Sequence, residues 1–391
     1  MERSHALDGL RGFAAAAVIF YHAILHNDAG MIERVLFRPI QALGSFYDVL
    51  LKLALQVQHG ETAVYVFFVL SGTVLQLSLA RRGDALAFTR ARLLRLYPPL
   101  IACLLLFYGL SLLGLPGYPH FTPQAFIENA SLWKISMHGP STTIQVEVMA
   151  IPFILAAWLA RKHLGLPALV IGFVVATLAL DNPALVFGLP NMHAYLLAFM
   201  AGMIVADPAL RPMMQKVPPG SWWLALVALV FCRMFHPQGS MPALICMTVC
   251  AAFLVAGLLH GERGSLHRLM EGRLAQALGK VSFSLYLLNV PIACVVWSFT
   301  DQFAWPKEHV LEAGILTGFL SLALTWPVAW LSERYIERPS IALARRTVGE
   351  RSATHHAFSR RCPLPPPSSR ARSCARRPRR QYPWAKSAAE S

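Results

Sequence analysis

The sequence predicts an all-α polytopic membrane protein of about ten transmembrane helices, with both termini in the cytoplasm. Three observations carry this. Of 391 residues, 55% are hydrophobic and only 14% charged, against about 25% charged in soluble domains. Apolar runs of helical length recur to about residue 332. Lys and Arg concentrate in alternate loops, which sets orientation by the positive-inside rule.

The first run, roughly 8–27, holds two costly residues, Arg11 and His22. Eleven positions make about three turns, so both leave one face, roughly 16 Å apart along the axis. An ionisable group that deep marks a functional site; a histidine hydrogen-bonded to a backbone carbonyl is the plainer reading. His26 follows His22 at i+4, but no third ligand and no zincin glutamate accompany them, so no metal is expected. The run resembles no cleavable leader, because Asp8 and Arg11 interrupt its front; it reads as a signal anchor.

Residues 34–57 form an amphipathic stretch that reads as an interfacial helix. The second run, 62–80, contains Ser71-Gly72, small residues that favour close helix packing; no nucleophile elbow surrounds Ser71. The next loop carries Arg81, Arg82, Arg90, Arg92 and Arg95 against Asp84. In FTRARLLRLYPPL (88–100) these arginines read either as an orientation signal or as a phosphate clamp, since the guanidinium fork binds phosphate bidentately. The third run, 97–115, opens on Tyr97-Pro98-Pro99, and a polar loop with a short helix follows over 120–143. Glu147, early in the fourth run (144–160), needs a partner or a proton. It would orient His22, bind acceptor hydroxyls or cap the helix dipole.

The remaining runs cover roughly 164–181, 187–206, 221–235, 242–259, 281–300 and 309–332. Some are nearer fifteen residues than twenty, so tilt or re-entry is expected. Tyr286 and Asn289 place polar groups within the ninth run, where interhelical hydrogen bonds account for them. None of the seven cysteines forms a CxxC, and Cys246 and Cys250, on one helix face, read as small packing residues. The chain divides into a membrane domain, 1–346, and a basic Pro/Arg/Ser-rich tail, 347–391, which lacks the residues for a core and is expected to be disordered. Residues 351–391 hold nine Arg and one Lys against one Glu, a net of +9 of the chain's +15. The high pI therefore points to anionic lipid rather than nucleic acid.

LDGLRGFAAAAVIFYHA (7–23), VYVFFVLSGTVL, FTRARLLRLYPP, LGKVSFSLYLLNVPI and RYIERPSIALARR (334–346), in this order, resemble the acyltransferase-three family of integral membrane acyltransferases. The resemblance implies a ten-helix enzyme of the bacterial inner (plasma) membrane. Such an enzyme moves an acyl group, commonly acetyl or succinyl, from cytoplasmic acyl-coenzyme A. The acceptor is a hydroxyl of an envelope glycan, exopolysaccharide or lipid-linked sugar. It assigns Arg11, Arg92 and Arg95, with Arg90 nearby, to the donor's phosphates, and His22 and Glu147 to catalysis. The family's Trp-Ser-Leu before the glutamate is Thr142-Thr143-Ile144 here, Pro152 stands close to where an aromatic pair is usual, and Asn289 replaces a histidine. A transporter or flippase without acyl chemistry is the alternative for intramembrane charges, but no inverted repeat supports it.

Overall fold

The computed structural model describes residues 4–345; the basic tail lies outside them. Every regular element among the described residues is helical. The principal helices are α1 (His5–Asn27), α2 (Phe46–Gln56), α3 (Gly60–Arg82), α4 (Ala85–Ser111), α5 (Pro123–Ala130), α6 (Ser141–Met149), α7 (Ile151–Leu164), α8 (Leu166–Leu178), α9 (Met192–Val205), α10 (Ser221–Phe231), α11 (Met241–His260), α12 (Arg273–Thr300) and α13 (Val310–Ser332). Among them, seven stretches are long and apolar enough to cross a membrane, α2 with α3 and α6 with α7 each counting as one. The expected count of ten is reached only if α8, α10 and α9 with its bent continuation to Met214 also cross.

The expected interfacial helix over 34–57 is broken up. A π turn at Ile32–Leu36 and a 3-10 turn at Ile40–Ala42 precede α2, because Pro39 removes a backbone donor and Gly44 favours a break. Lys52 is buried, and its Nζ donates to the carbonyls of Val35, Leu36 and Arg38 at 3.3, 2.8 and 2.6 Å. These are the orphan acceptors at the end of a helical turn.

α1 is central, packed on α12, α13 and α3. It runs parallel to α12, since Gly9 meets Ala275 and His22 meets Asn289. It runs antiparallel to α13, where Gly314 meets Ile24 and Gly318 meets Phe20. The motif glycines permit this approach. A Cβ on Gly12 would strike the Gly279 backbone, and one on Gly72 would strike the Phe199 carbonyl. Close helix contact of this kind is how membrane bundles cohere when lipid is as apolar as the side chains. Ile171, Val174 and Leu178 on α8, and Leu316, Phe319 and Leu320 on α13, are exposed, a lipid-facing surface rather than a mispacked one.

Candidate functional site

Two adjoining chambers share walls from α3 and α4; α1, α6 and α12 complete the first, and residues 341–345 complete the second. The inner one, about 60 Å³, is lined by Arg11, Ser71, Arg92, Arg95, Thr143, Glu147, Ser282 and Tyr286, with Phe67, Phe68 and Phe283 among its apolar walls. The outer one, about 230 Å³, is lined by Arg81, Arg92, Arg95 and Arg345 with apolar neighbours. Val74, Arg92 and Arg95 belong to both.

Local structure explains the arginines. Asp84 caps α4, its carboxylate accepting from Leu86 N–H at 2.9 Å and Ala87 N–H at 3.1 Å. From this fixed start, Arg92 and Arg95, three apart, share a face. Arg90, two residues from Arg92, points elsewhere; it is exposed and lines neither chamber. Arg92 Nη2 lies 2.8 Å from Glu147 Oε2, and Ser71 Oγ–H donates to Glu147 Oε1 at 2.7 Å. Beyond this ion pair, Arg92 Nε–H has no hydrogen-bond partner among the described residues. Arg11 lies within electrostatic reach of Arg95, Asp8, Glu147 and Glu337. Glu337 comes from a π turn at Glu333–Glu337, and Ser284 Oγ–H donates to it at 3.3 Å.

His22 is placed differently. It lines neither chamber, and Glu147 does not hold it. Its Nδ1 lies 2.9 Å from Asn289 Oδ1. Asn289 Nδ2 meanwhile donates to the Tyr286 carbonyl in a short bond. That donation fixes which end of the amide faces the imidazole. Oδ1 only accepts, so Nδ1 must carry the proton and Nε2 keeps its lone pair. Asn289 thus sets the tautomer of His22.

A second imidazole lies beside this pair. The expected polar loop before α6 turns into the bundle, and His138 is fully buried there. Pro291 has no N–H, so the Leu287 carbonyl four residues back lacks its helical donor. His138 Nε2–H fills the gap at 2.9 Å, and Cys103 Sγ–H does so at 3.3 Å. His138 Nδ1 then accepts from Ser141 Oγ–H at 2.8 Å. Burial holds this imidazole down at about 4, partly offset by the Leu287 bond and reinforced by nearby His22. It is therefore neutral at physiological pH.

The structure therefore brings together Arg11, Arg92, Arg95 and Glu147, leaves Arg90 outside, and sets His22 in a separate polar layer with Asn289. Ser71, His138, Glu337, Arg81 and Arg345 join the neighbourhood without having been singled out for it. Pro291 within an apolar run was the one signal that an acceptor there needed a donor.

Fold and site define a polytopic membrane protein with an arginine-rich cavity between its helices and a held imidazole in a separate polar layer. The family model described as acyltransferase domain, acyltransferase-three, matches residues 4–334, nearly the whole chain. The chain belongs to that family and is an acyltransferase. No curated protein and no solved structure matches it.

Proposed function

We propose that the protein transfers a short acyl group, acetyl or succinyl, from cytoplasmic acyl-coenzyme A to a hydroxyl of an envelope glycan, exopolysaccharide or lipid-linked sugar at the bacterial inner membrane. The observation that carries this is the paired chambers. Four arginines, Arg81, Arg92, Arg95 and Arg345, surround a space of about 230 Å³, suited to a nucleotide's phosphates by bidentate charge-assisted bonds. The inner chamber continues toward Arg11 and Glu147. At about 60 Å³ it is far below the roughly 300 Å³ of ordinary ligand pockets, so α3 and α4 must part for a thioester arm to pass.

His22 Nε2 is the base. As the acceptor oxygen attacks the thioester carbonyl, Nε2 takes the hydroxyl proton; the C–S bond breaks, and the proton passes to the departing thiolate. Asn289 keeps the lone pair directed away from itself, and Glu147 holds Arg92 in place for the donor. Both termini are cytoplasmic in this reading, which puts the arginine chambers on the donor's side. The test uses purified full-length protein, radiolabelled acetyl-coenzyme A and a sugar acceptor. His22→Ala is expected to abolish label transfer while donor binding persists. Unchanged transfer would remove His22 from the mechanism.

A further inference from the structure

Away from the arginine chambers lies a second charged cluster, largely buried, with Glu61 partly exposed. Two backbone bonds clasp the turn after α10 to the segment before α2: Ile40 N–H to Met234 O at 2.8 Å and Gln238 N–H to Phe37 O at 3.0 Å. This clasp holds Arg233, whose side chain has no exposure. Its Nη1 pairs with Glu61 Oε2 at 3.1 Å and makes a short bond to His59 Nε2. On its other side, His59 Nδ1 accepts from Thr62 N–H at 3.1 Å and lies 3.0 Å from Thr62 Oγ1. His59 thereby caps the first turn of α3, the positive end of the helix dipole.

The other side of the guanidinium is unused. Arg233 Nε–H and Nη2–H have no hydrogen-bond partner among the described residues. These two donors form one fork. Arg161 spends the same fork on Asp207, at 2.9 and 2.7 Å. Gln56 is buried with both amide atoms also unpartnered. It lies one turn beyond Lys52, which is close enough for Arg233 to repel it. Two cations thus face one carboxylate. An uncompensated buried charge costs several kcal/mol.

We propose that the Arg233 fork binds an anion, a carboxylate or phosphate carried by the acyl acceptor. The word acceptor rests on the proposed acyl transfer; the anion site does not. Tyr21, next to His22 on α1, borders the cluster: its ring lies 5.9 Å from the His59 ring and 6.0 Å from the His22 ring, between centroids. The Tyr21 ring packs on Gly60, where a Cβ would collide with it. An acceptor anchored by its charge at Arg233 would present a hydroxyl toward His22 across this ring. Acidic sugars and sugar phosphates have this chemistry.

The test has two arms, both on full-length protein. Equilibrium binding of radiolabelled glucuronate and glucose 1-phosphate, with glucose as control, needs no acyl transfer. Wild type is expected to retain the charged probes over glucose, and Arg233→Gln to weaken them at least about tenfold, as for a lost charged hydrogen bond. Because that variant strands Glu61, Arg233→Gln/Glu61→Gln removes both charges and is expected to show the same loss. In the transfer arm, KM for methyl glucuronide rises by a similar factor in both variants, while KM for methyl glucoside stays put. Charged probes bound no better than glucose by wild type, or equally well by both variants, would overturn the proposal. Displacement of glucuronate by phosphatidylglycerol but not phosphatidylcholine in nanodiscs would assign the fork to lipid and overturn the acceptor role. Charged-probe binding without transfer to any acceptor would sink the acyl-transfer reading and leave the anion site standing.

Discussion

Asn289→Leu tests the claim that an amide, rather than a carboxylate, sets the His22 tautomer. The substitution keeps the side-chain volume and removes both amide bonds. His22 Nδ1–H loses its acceptor at 2.9 Å. The Tyr286 carbonyl loses a side-chain donor but keeps access to the helical N–H four residues on. One buried donor is therefore stranded, and its desolvation costs about 1–3 kcal/mol of stability. The imidazole then regains the alternative tautomer, with the proton on Nε2, in which it cannot serve as base. If the lost bond was worth about 1.4–2.8 kcal/mol, the ratio of productive to unproductive tautomer falls by about 10–100-fold, from nearly all productive to a mixture, and the transfer rate falls by about two- to fivefold. Donor affinity should not move, because Asn289 lines neither arginine chamber. The assay is initial-rate transfer of radiolabelled acetyl with donor titration, beside a thermal melt in the same detergent. A clear drop in melting temperature with full transfer would refute the tautomer argument, leaving Asn289 a packing residue.

Four further outcomes follow from the same geometry. His138 is held at about 4 in the folded protein against about 6.5 unfolded, so the unfolded chain binds the extra proton first. Its contribution is fully present above pH 6.5 and is lost as pH falls toward 4, at about 1.4 kcal/mol per unit; melts from pH 7 to 4.5 should show this slope, and His138→Gln should flatten it. Gly72→Val forces α3 off α9 at the Phe199 carbonyl and should cost several kcal/mol, on the order of an overpacked core, read as lost folded yield; a normally folded Gly72→Val would contradict the contact. Arg345→Gln should raise the donor KM about tenfold or less with kcat intact, since it touches only the outer chamber. Arg90→Gln, outside both chambers, should leave that KM unchanged.

The helices were legible because lipid imposes one rule along the chain: apolar runs must be long and every backbone group must be bonded within them. Residues 34–57 broke the reading because amphipathic spacing does not register Pro39 and Gly44 as breaks, nor Lys52 as a cap on carbonyls. The arginine cavity was legible in part. Arg92 and Arg95 share a face by spacing alone, and the same arithmetic turns Arg90 away. The partner of Glu147 was not, because Ser71 and Arg92 reach it from two other helices and spacing within one helix carries no such information.

The polar layer around His22 shows what an apolar run conceals. Pro291 removes one N–H, and the carbonyl it frees draws in His138 from a loop some 150 residues away in sequence. That loop is held by Asn129, whose side chain donates to the Ala125 carbonyl at 2.9 Å and accepts from His138 N–H at 3.3 Å. Each link satisfies a group that the previous one left open. A buried imidazole that bonds a carbonyl is structural by this logic, and His138 uses both nitrogens that way. His22 uses one nitrogen on Asn289, and Nε2 makes no hydrogen bond to any described residue that the structure resolves as a partner. Between the buried His138 and the half-buried His22, the difference in spent lone pairs is the physical ground for giving the chemistry to His22.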